Sequence, residues 1–546
     1  MNGAVADRLR SHGLAIGLFV LLSVIHTWPL ATNPAVLSRN DNGDTMLNEW
    51  IIAWVVHQLP RDPLHLFASN IFYPARDTLA FSEPLIVPAV LGAPVLWLGG
   101  SPVLAYNLLL LAGFTLTALA AYAVVYSWTG DRLAGVAAGS LFAFNTHTLT
   151  RLAHIQGIHV YGLPLTLLFA DRLITQPGIR PALLLAGSMA VMAYSSGYLL
   201  VFGIVMIAIV LLARVADWRR HAGRVVAAFA LATVATVIVV LPIAVPYRRV
   251  AAEQGMVRSI EAVREYSATL PGYLAAAGRI HFHTWSGRFF ENPVDSFFPG
   301  FVAIALTLLA IWTAIRGRVS RGRVFMLVAI GAIGFLLSLG LQTPLYAIVY
   351  KLLPPMAGLR AAARFGNLFL LAMALLAGLG LAALRQSEAA RRTATALAVA
   401  AITLVNVEAL RAPFEFRRFE GIPRVYDVLA RETGPVVLAE TPFYPPHAVF
   451  ENAEYVLNST AHWRPLMNGY SGYVPESYAR VAWIFWYFPE EHAIKAMRDA
   501  GVTHFTVHPQ RFGHEAAETI ALLARRPDIE LLAIGAGRGM RLYKFR

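Results

Sequence analysis

The sequence predicts a polytopic α-helical membrane protein with a small α/β domain at its C-terminus. Of its 546 residues, 57% are hydrophobic and only 14% charged. Mean hydropathy is +0.56, and the apolar residues form long runs rather than dispersed stripes. The arginines gather in short clusters between those runs, as topology signals do. The net charge of +13 therefore reads as membrane orientation and not as a nucleic-acid footprint. After about residue 411 the long runs give way to short strand-like and amphipathic segments. Cysteine is absent, which excludes disulfides, thiolate catalysis and Cys-ligated zinc.

The first apolar run, 13–30, follows Arg8 and Arg10. No small-x-small cleavage site precedes Asp41, so it reads as a retained anchor. Further spans are expected near 104–127, 133–149, 158–171, 181–195, 197–213, 225–246, 300–315, 324–341, 366–384 and 394–410, about eleven in all. The basic stretches "DRLITQPGIR", "RVADWRRHAGR", "RGRVSRGR" and "LRQSEAARR" all fall on the cytoplasmic side if the N-terminus is inside. That scheme needs "EPLIVPAVLGAPVLWLGG", with Pro84, Pro88 and Pro94, not to cross. It also needs the break at "YSSGY" to separate two crossings. Residues 1–410 are then a transmembrane domain with external loops 31–103 and 247–298, and 411–546 an external soluble domain. In that domain "GPVVLAE", "VTHFTVH", "IELLAIG" and "MRLYKF" read as strands, and "EEHAIKAMRDAG" and "HEAAETIALLARR" as amphipathic helices. Roughly 130 residues are enough to bury a core.

The first loop opens "LSRNDNGDTMLNEWIIAWVVHQL". Asp41 begins a strong turn signal and reads equally as an Asx-turn. Asp44 precedes an apolar periodic run and reads equally as a helix N-cap. Their position beside the first span, next to a helix whose Trp50 and Trp54 suit the membrane interface, offers a second role. A partly desolvated carboxylate there holds protons more tightly, as a general base for a hydroxyl must.

This layout resembles the GT-C glycosyltransferases, and among them the bacterial YfhO-like and mannosyltransferase-like multi-pass proteins. The stretches that carry the likeness are "GDTMLNEW", "LFAFNTHTLTRLAHIQGIHVYGLPL", "PPMAGLRAAARFGNLFLLAMALLAGLG" and "MNGYSGYVP". The resemblance implies a GT-C transmembrane body in a bacterial cytoplasmic membrane. It also implies a polyprenyl-phosphate sugar donor used on the extracytoplasmic face, with an acid of the first loop, Asp44 or else Asp41, activating the acceptor. No Gly-rich phosphate loop follows a strand, which fits a lipid-linked donor rather than a nucleotide sugar.

Such chemistry needs cations for the departing lipid phosphate, and Arg360 and Arg364, four apart before span 366–384, suit it. They read equally as a stop against lipid head groups. The turn "NTHTLTRLAHIQGIHV" places His147, Arg151, His154, Gln156 and His159 together. In metal-using members of the superfamily this turn carries acidic ligands. Here it has none, so a divalent metal stays possible but unsupported, no cofactor is expected, and the turn reads equally as a sugar- or phosphate-binding surface and as a polar cap on two helices. Glu49 and Glu83 are further substrate-binding candidates. "HFHTW" has the alternation of a metal pair on a strand but no third ligand. The aromatic stretch "HWRPLMNGYSGYVPESYARVAWIFWYFP" can stack on sugars, seat on the bilayer or fill a core. The alternatives to an enzyme are a transporter or flippase for lipid-linked glycans, or a non-catalytic glycan-assembly subunit. The near absence of charge within the spans weighs against transport.

Overall fold

The computed structural model describes residues 2–546 apart from 256–259, 292–295, 387–390 and 538. The basic cluster expected at 384–392 lies partly outside the described residues, as do the side chains of Arg8 and Arg10. The chain divides into two compact units, each drawn from separated segments. The first comprises Met1–Asn33, Asn107–Ile243 and Val257–Glu415; the second comprises Pro34–Tyr106, Ala244–Met256 and Phe416–Arg546.

The first unit is helical. Helices Pro102–Thr129, Val215–Glu253, Arg321–Ser338, Ala362–Leu384 and Arg392–Ala409 are long and apolar enough to cross a membrane. At its centre helix Gly366–Leu384 packs on Phe301–Ile315, Arg321–Ser338 and Arg132–Ala143. The approach is close: a Cβ on Gly380 would lie 2.0 Å from the Leu306 carbonyl oxygen. Small residues let helix backbones meet this way where lipid supplies no hydrophobic drive. The break at "YSSGY" is real. Helix Ile179–Ser195 ends at Ser196, whose extended backbone (φ −164°, ψ 135°) and side chain cap the next helix, Gly197–Ala213.

One ionic cluster in this unit escapes a reading of the sequence. Asp171, 1% exposed, accepts hydrogen bonds from Arg214 Nη1 at 2.5 Å, Arg323 Nη2 at 3.0 Å and Trp128 Nε1 at 3.0 Å. The two cations are far along the chain, so no local pattern shows the match.

In the second unit strand β1 (Leu37–Ser38) pairs antiparallel with β2 (Arg417–Arg418). Strands β3 (Leu438–Thr441), β4 (His504–Val507), β5 (Ile529–Ile534) and β6 (Arg541–Phe545) form a mixed sheet in the order β3-β4-β6-β5, with β3 and β4 parallel. Each of these four overlaps one of the expected strand segments. The tail is not a separate unit, however: it shares its compact unit with the first loop. Helix Gly43–Gln58 packs on Ala453–Asn458 and on Ile86–Trp97. The latter is 12 residues long and holds Pro94 in its interior. Trp50 and Trp54 are not at an interface. They are 1% and 5% exposed, and their indole N–H groups donate to Asn70 Oδ1 at 3.3 Å and the Leu66 carbonyl at 2.8 Å.

Candidate functional site

Two polar clusters emerge, one in each unit. In the second unit the turn "NDNGD" feeds helix Gly43–Gln58, and its N-cap is Asn42, not Asp44. Asn42 Oδ1 accepts from the Asp44 backbone N–H at 2.8 Å. Capping is therefore done without the Asp44 carboxylate, which sits in the first helical turn, where the helix dipole favours negative charge. The Tyr470 hydroxyl, from "NGYSGY", donates to Asp44 Oδ1 at 2.7 Å. Gly43 makes room for that ring, because a Cβ there would lie 3.2 Å from Tyr470 Cε1. Asp41 points into an exposed ion pair with Arg39 at 3.1 Å, a turn role.

One and a half turns on, Glu49 is fully buried. The Asn40 amide, oriented to donate, reaches its two oxygens at 3.0 and 3.2 Å. Burial pushes its carboxyl well above the usual carboxylate range, and the Asn40 hydrogen bond only partly offsets this. The Tyr106 hydroxyl hydrogen-bonds to Asn48 and lies in the field of Glu49 and Asp44. Glu83 is half-buried beside Tyr247, whose hydroxyl donates to the Ser82 carbonyl at 2.6 Å.

In the first unit a cleft is lined by His147, Arg151, His154, Gln156, Tyr198, Arg364 and Asn367. Arg364 lies over the Tyr198 ring at 4.4 Å, and the Tyr198 hydroxyl accepts from the backbone N–H of Arg360 and Ala361, both at 3.0 Å. Tyr198 follows the Ser196 break, so that irregularity places a ring under the cation. Among the described residues Gln156 Oε1 and Asn367 Oδ1 are buried without a hydrogen-bond partner, acceptors that a ligand's hydroxyls would satisfy.

Some expectations are corrected. Arg360 and Arg364 do not share an α-helical face. Ala361 is non-helical (φ −94°, ψ 82°) and a 3₁₀ turn follows, so Arg360 stacks instead on Tyr266 at 4.9 Å. His159 is not on the cleft wall; its Nε2 contacts the Leu109 carbonyl at 2.9 Å and its ring fills the space beside Gly113. "HFHTW" is helical rather than extended. There Trp285 Nε1 donates to His281 Nδ1 at 3.1 Å, and burial lowers that imidazole's pKa.

Among the described residues no three His, Asp or Glu side chains are grouped so as to hold a metal ion. Asn458 of the sequon "NST" is 4% exposed, so it is not a surface acceptor. The aromatic stretch divides: Tyr478, Phe485 and Phe488 are core, whereas Trp483, Trp486 and Tyr487 are exposed.

Tyr470 and Tyr198 are the site residues least visible in the sequence. Their only signals are the repeated Gly and Tyr of "NGYSGY" and the Ser-Gly break of "YSSGY".

No family model and no curated protein matches the sequence. Solved structures do match in fold. The arabinofuranosyltransferase AftD from Mycobacteria aligns over 98% of this chain with a TM-score of 0.61 and 16% identity. This chain spans 39% of the length of AftD. The archaeal oligosaccharyltransferase AglB from Archaeoglobus fulgidus, solved with an inhibitory peptide and a dolichol-phosphate, aligns over 92% of this chain and 70% of its own, with a TM-score of 0.51 and 12% identity. The chain therefore has the fold of the GT-C membrane glycosyltransferases.

Proposed function

We propose that this chain is an integral-membrane glycosyltransferase. It would move a sugar from a polyprenyl-phosphate donor to an acceptor hydroxyl at the outer face of a bacterial cytoplasmic membrane. The observation that carries the reading is the Asp44 carboxylate, spared from capping by Asn42 and oriented by Tyr470. The fold shared with AftD and AglB supports it, and the dolichol-phosphate bound to AglB supports a lipid-linked donor.

In this mechanism Asp44 takes the acceptor's proton as the acceptor oxygen bonds to the anomeric carbon. The bond from that carbon to the phosphate oxygen breaks, and polyprenyl phosphate leaves with the electron pair. Attack opposite the leaving group inverts the anomeric centre. Independently of Asp44, the cleft of the first unit carries Arg151 and Arg364 on its wall, guanidinium groups of the kind that make charge-assisted hydrogen bonds to a phosphate. The proposed topology has the N-terminus inside and about eleven crossings. The five long helices are joined by His12–His26, Arg132–Ala143, Gly162–Thr175, Ile179–Ser195, Gly197–Ala213 and Phe301–Ile315. Helix Ile86–Trp97 and the tail then stay outside.

The test is release of free polyprenyl phosphate by protein in lipid nanodiscs, supplied with pentosyl and hexosyl polyprenyl phosphates. Wild type is expected to turn over one of them, and Asp44→Asn to lose at least ~100-fold in rate while keeping its melting temperature. Undiminished turnover in Asp44→Asn, or no release from any donor, overturns the reading.

A further inference from the structure

We propose that the C-terminal segment carries a saccharide-binding site of its own, beyond the carboxyl ends of β4 and β5. This does not depend on the transferase reading. In open α/β sheets the crevice outside the carboxyl ends of parallel strands is where ligands bind. Here Val507, ending β4, pairs with Arg541, which also pairs with Ile534 at the end of β5. The segments leaving β4 and β5 therefore emerge at one edge. They line a cavity of about 180 Å³ with Glu420, Glu454, Asn458, His508, Gln510 and Arg511.

The wall is held in place. Glu440, fully buried, accepts from the Tyr426 hydroxyl at 2.7 Å, from the Thr506 hydroxyl, and from His508 Nε2 at 2.7 Å. That fixes the His508 ring and, in its neutral form, leaves Nδ1 as an acceptor. Arg511 lies over the Tyr455 ring at 5.1 Å and donates to Glu454 at 2.7 Å and Glu451 at 3.1 Å. Asn458 is 4% exposed. Its amide lies beside the Tyr426 hydroxyl, which ties this part of the wall to the buried Glu440.

The chemistry selects the ligand class. Carboxylates, amides, an imidazole and a guanidinium offer mixed donors and acceptors, the pattern that vicinal hydroxyls satisfy. A phosphate is disfavoured, because Arg511, the single arginine among the described residues of the wall, is already matched by two carboxylates. A metal ion is disfavoured too, since the described residues hold no ligating group of three.

Saturation-transfer NMR on the full-length protein in nanodiscs tests this, with methyl α-D-mannopyranoside, methyl α-D-arabinofuranoside and, separately, inorganic phosphate as probes. A Cβ at Gly535 meets nothing closer than 3.5 Å, so Gly535→Leu fills the cavity without backbone strain. It is expected to cut the saccharide signal at least tenfold. Gln510→Ala, at an exposed position, is expected to weaken it several-fold, and Asp44→Asn to leave it unchanged. No signal from either glycoside, a phosphate signal alone, or a saccharide signal indifferent to both Gly535→Leu and Gln510→Ala overturns the proposal. Since Asp44→Asn reports on transfer and Gly535→Leu on binding, failure of one claim is separable from failure of the other.

Discussion

Asp44 and Glu49 lie on the same helix in opposite environments. Asp44 is half-buried and held by a tyrosine hydroxyl; Glu49 has no exposed surface and an amide partner in Asn40. Replacing Tyr470 with Phe removes a hydrogen bond to a charged group, a loss of about 1.5–3 kcal/mol. If the hydroxyl orients the base, kcat should fall roughly tenfold or more with KM nearly constant; a change confined to KM would reassign Tyr470 to substrate binding. For Glu49 the sign follows from a folded-state pKa raised by burial. The folded protein prefers the protonated acid, so its contribution to stability is complete below the unfolded value near 4.5. It is lost as pH rises from there through the higher folded pKa. Melting temperature measured from pH 4.5 to 8 should therefore decline less steeply in Glu49→Gln than in wild type. Parallel profiles would show that Glu49 is charged in the fold.

At the scale of elements, the helices were legible because each apolar run is bounded by Pro, Gly, Ser or arginine clusters. The caps were legible only by class. "NDNG" announces an N-terminus, but which side chain closes it depends on loop geometry, and Asn42 rather than Asp44 does so. Asn42→Ala should therefore cost about 1 kcal/mol, and a matching drop in melting temperature would measure it. The Asp171 cluster is of another kind, since its cations come from Arg214 and Arg323. Asp171→Ala leaves two guanidinium groups without their shared acceptor, and breaking a buried pair typically costs ~3–5 kcal/mol. Poor yield or a large loss of thermal stability is expected, with Arg323→Met in the same background restoring part of it. No rescue would mean that the two charges are not energetically coupled.

At the scale of the molecule, what the sequence concealed is interleaving. Strand periodicity in the tail was readable residue by residue, whereas the surface it packs against is contributed by residues hundreds of positions earlier. Likewise His147, Arg151, His154 and Arg364 were each visible as candidates, but the cleft they share depends on Tyr198 and on a non-helical turn at Ala361 that spacing alone would have made helical. Within the second unit the tail is tied to the first loop by main-chain hydrogen bonds. Leu466 N–H donates to the Asn70 carbonyl at 2.7 Å, Phe72 N–H to Asn468 at 3.1 Å and Tyr73 N–H to Leu466 at 3.0 Å. A Cβ on Gly469 would lie 2.5 Å from the Phe72 ring, so the two segments meet at van der Waals contact. Removing the loop would strip partners from those backbone groups and expose the apolar surface of Phe72, each a direct cost to folding. The tail 416–546 expressed alone should accordingly unfold without a sharp urea transition and exchange its β3 and β4 amides quickly. A fusion of 34–106 to 416–546 should restore cooperativity and slow that exchange. An isolated tail with the same midpoint as the fusion would mean that the sheet and its own helices suffice, and that the first loop is a passenger on a self-sufficient domain.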